Sequence, residues 1–336
     1  MPENVGVIGS GSWGTTIAKI LGENGNQVLL WARRQALCDQ INEVHVNEDY
    51  LPGAKLPPEL MATTDLEHIC ASCKLIVMVV PSHGFRQVAH EIGGFLDGEH
   101  IIIHATKGIE AGTSKRMSEI LREETPVRKL GVLSGPNLAK ELAVRKPAGT
   151  LVASRYKEVV ERAQATLHND YFRVYGGDDV IGAEIGGTFK NIVAVAAGIA
   201  DGLEFGDNTK ALLVTRGINE MARFGLAMGA DVLTFGGMAG FGDMMATCAS
   251  PFSRNHQVGV RLARGETLDE ILAAMKMVAE GVKATKAVRA FCDGHGLSLP
   301  IVNAVFEVLY EGAEVGAALG RLMHQAIGHE FQGFQL

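Results

Sequence analysis

Apolar positions follow two different regimes along the chain. Through the first half, short continuous apolar runs alternate with stretches of helical period. Residues 5–9, 27–31, 75–80, 100–105, 129–134, 150–153 and 171–175 are predicted strands, and 14–24 a helix ended near Gly25. A run such as LIVMVV is apolar at every position, as a strand covered on both faces must be. Strand–helix alternation of this kind predicts a doubly wound α/β domain. The pattern changes near Gly176. From residue 179 the period is helical and strand signal almost vanishes. Residues 181–200, 209–224, 253–263, 267–277, 285–295 and 300–310 are predicted helices, the last opening on Pro300, a first-turn residue. The expected organisation is an α/β domain over 1–178 and an all-α domain over 179–336, ending in a loose tail, HEFQGFQL.

Composition narrows the class. A chain of 336 residues suits one large domain or two. Hydrophobic residues at 47% and charged residues at 21% are ordinary for a folded protein. A net charge of -7 argues against a general nucleic-acid binder and leaves room for a local basic cluster around a small anion. Five cysteines, Cys38, Cys70, Cys73, Cys248 and Cys292, give no disulfide framework. Cys70 and Cys73 form a CxxC, but no second pair at zinc-site spacing follows, so no metal site is expected. The start, MPENVGVIG, has no basic n-region or long apolar h-region. No uninterrupted apolar run reaches about 18 residues. The expectation is a cytoplasmic protein without a membrane span.

Three segments carry candidate chemistry. In GVIGSGSWGTTIAKILGENG, Gly9, Gly11 and Gly14 fit GxGxxG between a strand and a helix. Glycine permits the tight turn and a close approach of backbone to pyrophosphate, and the helix start supplies N–H groups and a positive dipole end. The alternative is a packing corner. Ser12 and Trp13 lie in the same loop, within reach of the pyrophosphate. The second strand ends in Arg33-Arg34, where NAD binders place a carboxylate for the ribose hydroxyl; the nearest acid, Asp39, comes five residues after Arg34. Two arginines suit a 2′-phosphate and favour NADP over NAD. A solvated basic strand end is the alternative.

Lys190, in GGTFKNIVAVAAGIA, shares its helix face with Gly186, Gly187, Val193, Ala194 and Ala197. That face is small and apolar, so it should pack closely. Burial favours the neutral amine, the form a general base needs. A lysine snorkelling at a domain seam would share this pattern. Lys107 follows the strand IIIHAT, at the carboxyl end where open α/β sheets bind ligands; an ordinary strand-end lysine is the alternative. Further on, glycine-rich loops lead to Asp243 and to Ser253-Arg254-Asn255 at an apparent helix start. Hydroxyl, guanidinium and amide groups at a helix N-terminus make a phosphate seat. Otherwise Ser253 is a plain N-cap, Arg254 a solvated helix residue and Asp243 a loop carboxylate.

Taken together, GSGSWG, ATKGIE, SGPNLAKELA, FKNIVAVAAGIADGL and FSRN, in that order, resemble the NAD(P)-dependent glycerol-3-phosphate dehydrogenases of bacterial type. The resemblance spans essentially the whole chain. It implies a Rossmann-like N-terminal domain, an α-helical C-terminal domain and a homodimer. It implies reversible hydride transfer between NAD(P)H and C2 of dihydroxyacetone phosphate, which supplies glycerol 3-phosphate for phospholipids. By the same resemblance Lys190 is the acid/base, and Lys107 serves both cofactor and substrate. Gly135 and Asn137 line the substrate site, and Asp243, Ser253, Arg254 and Asn255 hold the substrate. Ser12, Trp13, Arg33, Ala139, Arg254, Val278 and Glu280 belong to the NADP(H) or NAD(H) site. Trp13 stands where some relatives carry tyrosine or phenylalanine, and any flat aromatic serves. Two rivals remain at this point. A hydroxy-acid or ketopantoate-type reductase would bind a carboxylate instead of phosphate. A non-catalytic NADP(H) sensor would not need Lys190 beside Asp243.

Overall fold

The computed structural model describes residues 2–275 and 278–323. Its strands are β1 (Asn4–Ile8), β2 (Gln27–Trp31), β3 (Leu60–Thr63), β4 (Leu75–Met78), β5 (Ile101–His104), β6 (Lys129–Ser134), β7 (Ala148–Ala153) and β8 (Phe172–Gly177). They form one sheet in the order β3-β2-β1-β4-β5-β6-β7-β8. All neighbours run parallel except β6 and β7, which pair antiparallel through Leu133 and Val152. Helices α1 (Ser12–Glu23), α2 (Gln35–Val44), α3 (Leu66–Ser72), α4 (Phe85–Gly93), α5 (Met117–Glu124), α6 (Ala139–Ala143) and α7 (Lys157–Leu167) accompany it. Leu75, Val77, Ile101 and Ile103 enter one apolar cluster, and Ile76, Met78 and Ile102 another. Alternate residues of β4 and β5 therefore point to opposite faces, and in these central strands both faces are buried. This is the doubly wound arrangement the apolar runs predict.

Two features of the sheet differ from expectation. β3 is an additional strand; LMAT is too short and mixed to stand out from its flanks. The reversal at β7 leaves no mark on the apolar pattern, because strand direction does not change which residues are buried.

The chain divides into two units, Met1–Thr106 with Arg116–Val180, and Lys107–Lys115 with Ile181–Leu336. The second is helical: α8 (Val180–Gly202), α9 (Gly206–Ala227), α10 (Asp243–Ala249), α11 (Arg254–Ala263), α12 (Leu268–Ala274), α13 (Glu280–His295), α14 (Pro300–Tyr310) and α15 (Val315–Met323). The predicted helix at 300–310 matches α14 residue for residue. The predicted helix at 285–295 starts five residues early, at Glu280. α10 and α15 fall in stretches the pattern left unassigned. The predicted helix at 267–277 stops at Ala274, with Met275 already extended; residues 276–277 and the expected loose tail lie outside the described residues. α8 has the length and apolarity of a membrane span, yet 94% of its most apolar window is buried. It is the core helix of the second unit, packed among Phe224, Val258, Val288 and Val302.

Candidate active site

In the first unit the three glycines play three separate parts. Gly9 leaves β1 at φ +121°, and a Cβ there would lie 2.5 Å from the Val79 carbonyl oxygen. Only glycine fits that turn. A Cβ on Gly14 would lie 1.8 Å from the Gly9 carbonyl oxygen, so α1 is pressed against the strand end. Gly11, the N-cap of α1, is different: nothing lies within 4 Å of its would-be Cβ. The middle glycine thus faces open space at a helix N-terminus, as a cradle for an approaching phosphate requires. The residues present fit a dinucleotide.

Around this turn, Ser12 Oγ donates to the Tyr50 carbonyl at 2.6 Å, and Trp13 stands edge-on to Phe172. Ala139 opens α6, and its carbonyl accepts from Thr16 of α1 at 3.4 Å, which puts it beside the glycine turn's helix. At the end of β2, Arg34 is paired with Asp49, whereas Arg33 is exposed with no ion-pair partner among the described residues. Arg33 is therefore the arginine left for an anion, next to the start of α2, whose first turn holds no acid. Asp39 accepts from Gln35 one helical turn further on, away from the strand end. After β6, Asn137 donates to the Gly149 carbonyl at 3.1 Å and accepts from Thr150 Oγ1 at 2.9 Å. A Cβ on Gly135 would lie 3.0 Å from Thr150 Cα.

In the second unit the sequence candidates converge. Lys190 lies on α8 at 6% exposure and Asp243 at the start of α10 at 1%. Asp243 Oδ1 accepts from Lys190 Nζ, and its Oδ2 accepts from Lys107 Nζ at 2.7 Å. The local backbone explains the meeting. A Cβ on Gly186 would lie 2.1 Å from the Ala239 carbonyl oxygen, so α8 touches the π-helical turn Met238–Gly242 directly. Lys190 is one turn beyond Gly186, and Asp243 one turn beyond Ala239. Contact at the first pair brings the second pair together. π-turns of this kind recur at functional sites.

One carboxylate faces two ammonium groups in a buried place. Burial drives the Lys190 pKa down to about 7; Asp243 opposes the shift, and Lys107 adds to it. Lys190 is thus poised to gain or lose a proton near neutrality.

The helix start beyond it is also organised. Ser253 caps α11, its Oγ accepting the His256 N–H at 3.3 Å. Asn255 donates to Asn191 Oδ1 at 2.8 Å and accepts the Gly281 N–H at 2.9 Å. The amide ties α11 to α8 and α13. Arg254 stays exposed. Surrounding protein lowers its pKa from the ordinary arginine value, with Glu280 opposing, and the group keeps its charge at neutral pH. Val278 is half-buried and precedes Glu280 by two residues. Asn191, Thr247 and His256 were not candidates from the sequence. Thr247 donates to Asp243 Oδ1 at 3.4 Å. Its i+4 spacing from Asp243 was the available signal.

Cys70 and Cys73 sit in an apolar cluster of the first unit. Burial pushes their thiols up to about 11 and about 12, so both stay protonated at neutral pH.

A lysine poised near neutrality moves protons, not electrons. The glycine cradle suits a carrier of the hydride that such a proton transfer accompanies. Fold and candidate site together define a dinucleotide-dependent dehydrogenase with a helical second unit. Residues 4–160 match the model of the NAD-dependent glycerol-3-phosphate dehydrogenase N-terminus, and 179–320 that of its C-terminus. The chain is 44% identical over 327 residues to glycerol-3-phosphate dehydrogenase [NAD(P)+] of Streptomyces griseus, covering 97% of each. It is 44% identical over 329 residues to the Bacillus cytotoxicus protein of that name, covering 97% and 96%. The crystal structure of glycerol-3-phosphate dehydrogenase from Coxiella burnetii superposes with a TM-score of 0.92 at 34% identity, covering 96% and 99%. A ketopantoate reductase from Ralstonia eutropha shares the fold at a TM-score of 0.60 and 14% identity. The chain belongs to the NAD-dependent glycerol-3-phosphate dehydrogenase family.

Proposed function

We propose that this chain is an NAD(P)-dependent sn-glycerol-3-phosphate dehydrogenase that interconverts dihydroxyacetone phosphate and glycerol 3-phosphate. The observation that carries the reading is the buried Lys190, held at Asp243 and pulled toward neutrality. A bound nicotinamide supplies or accepts the hydride at C2. Lys190 handles the accompanying proton. In the reductive direction its ammonium faces the oxygen on which charge develops and donates to it; in the oxidative direction the neutral amine removes the hydroxyl proton. Acid–base assistance of this kind is worth about 10²–10⁴-fold, and stabilisation of the oxyanion adds to it. Asp243 orients Lys190, and Lys107 keeps it from holding its proton too tightly.

The remaining assignments follow from charge and position. Arg254, with Ser253 and Asn255 at the start of α11, holds the substrate phosphate. Gly135 and Asn137 line the substrate. Gly9, Gly11, Ser12, Trp13 and Gly14 receive the pyrophosphate, with Ala139, Lys107, Arg254, Val278 and Glu280 completing the cofactor's surroundings. Arg33, just before α2, favours the 2′-phosphate of NADP(H), whereas Arg34 beside it is held by Asp49. In this reading residues 1–178 supply most of the cofactor's contacts, and 179–336 supply Lys190, Asp243 and the phosphate seat. The enzyme works in the cytoplasm as a homodimer, supplying glycerol 3-phosphate to phospholipid synthesis.

The test is NADPH oxidation at 340 nm with dihydroxyacetone phosphate, repeated with NADH. Rapid oxidation with NADPH and slower oxidation with NADH is expected. Equal rates would remove the argument from Arg33. No oxidation with either, from folded protein that binds NADPH, would overturn the enzyme assignment.

A further inference from the structure

The first turn of α11 carries Arg254, and two of its side chains point inward on either side of that arginine's face. Arg254 and Gln257, three apart, are exposed, while Asn255 and His256 are buried. Asn255 has the two partners described above. His256 has its own: Nε2 lies 2.7 Å from Asp201 Oδ2, at the end of α8. A carboxylate only accepts, so Nε2 carries the hydrogen. Asp201 Oδ1 in turn accepts from Lys210 of α9 at 2.9 Å. The imidazole side chain is 10% exposed, the carboxylate 28% and the lysine 25%. Backbone contact supports the same junction. A Cβ on Gly198 would lie 2.0 Å from the His256 carbonyl oxygen, and one on Gly259 2.1 Å from the Val195 carbonyl oxygen. α8 and α11 therefore meet main chain to main chain, and α8 is the helix that carries Lys190.

We infer that His256, held by Asp201 and Lys210, is a positioning residue for the known reaction: it fixes the helix start that presents Arg254 relative to Lys190. Glycine contacts set how closely the two helices approach, and the Asn255–Asn191 bond ties α11 to α8 at one point, about which the helix start could still pivot. A directed imidazole–carboxylate bond stops that pivot, and Lys210 holds the carboxylate in place. An apolar side chain of the same size would fill the space without fixing the angle. This inference rests on the reading of α11 as the phosphate seat. The role of His256 is therefore to convert the substrate's phosphate into correct placement of C2 at Lys190.

The experiment compares kcat/KM for dihydroxyacetone phosphate with kcat/KM for dihydroxyacetone, which lacks the phosphate, using NADPH and the full-length chain. His256→Leu removes the donor; His256→Gln returns an N–H at nearly the reach of Nε2. The expected result is a roughly 10- to 100-fold fall in the ratio of the two constants for His256→Leu, with most of it restored in His256→Gln. General damage to the fold would lower both constants together and leave the ratio intact. Arg254→Ala is the control for the seat itself and should also collapse the ratio. A ratio unchanged in His256→Leu but collapsed in Arg254→Ala would overturn the positioning role alone. A ratio unchanged in Arg254→Ala would overturn the phosphate seat and the inference with it. If His256→Leu does not fold, the half-exposed Lys210→Met provides the same comparison, with a fall of a few-fold expected and an unchanged ratio contradicting the role.

Discussion

Two regions of this molecule depend on glycine, for opposite reasons. In the turn after β1, Gly11 leaves its would-be Cβ position empty, space that the proposed cofactor would take. Along α8 and at the start of α13, Gly186, Gly198 and Gly281 have theirs filled by the main chain of residues 239, 256 and 191. In the first region glycine makes room for something that arrives; in the second it lets protein approach protein, so that Lys190 and Asp243 meet. The same residue type thus leaves open surface in one unit and builds a close-packed scaffold in the other. Only the surroundings of the absent Cβ tell them apart.

Removing the group that the scaffold positions should have the largest effect. Lys190→Ala should lower turnover by about 10²–10⁴-fold while NADPH binding, followed by fluorescence titration, stays close to that of the parent. Loss of cofactor affinity in step with turnover would contradict the separation of roles.

The comparison itself is broken most directly by adding one methyl group to each region. Gly186→Ala drives a Cβ to 2.1 Å from the Ala239 carbonyl oxygen. Overpacking of this kind costs about 1–3 kcal/mol, offset in part by roughly 1 kcal/mol of helix propensity. A lower Tm and a lower kcat are expected together, because the contact that aligns Lys190 with Asp243 has moved. Gly11→Ala meets nothing within 4 Å. Its unfolding free energy should stay within about 0.5 kcal/mol of the parent, while the Kd for NADPH rises. Destabilisation by Gly11→Ala with unchanged Kd would reverse the argument.

The smallest effect is expected at the cofactor's far end. Arg33→Ser should reduce the preference for NADPH over NADH by roughly tenfold, equivalent to about 1.4 kcal/mol. An unchanged ratio of the two kcat/KM values would move the preference elsewhere.

How far the sequence carries depends on whether a feature is local. The glycine turn is legible because three fixed positions between a strand and a helix impose it. Lys190 is legible because a lysine on a small, apolar helix face stands out within one helix. α14 is legible because Pro300 marks its first turn. What the pattern does not carry is contact between distant segments. Nothing in ATKGIE announces that Lys107–Lys115 groups with the helical unit, or that Lys107 reaches a carboxylate 136 residues away. Asp243 lies in glycine-rich sequence that suggests a loop, yet it opens α10 after a π-turn, a conformation with no strong residue signature. His256 looks like any helix residue until Asp201 is placed against it. β3 is short, and the reversal of β7 leaves the burial pattern unchanged.

The central claim is that burial beside Asp243 and Lys107 makes Lys190 a proton carrier near neutral pH. Its most direct test is the pH dependence of kcat in both directions. Oxidation of glycerol 3-phosphate needs the neutral amine, so kcat should rise with pH through about 7 and level off. Reduction needs the ammonium, so kcat should fall over the same range. Lys107 pushes the Lys190 pKa down, so Lys107→Met should move both limbs to higher pH. Opposed limbs that shift together would support the account. Limbs of the same sign in both directions, or limbs that stay in place when Lys107 is removed, would contradict it.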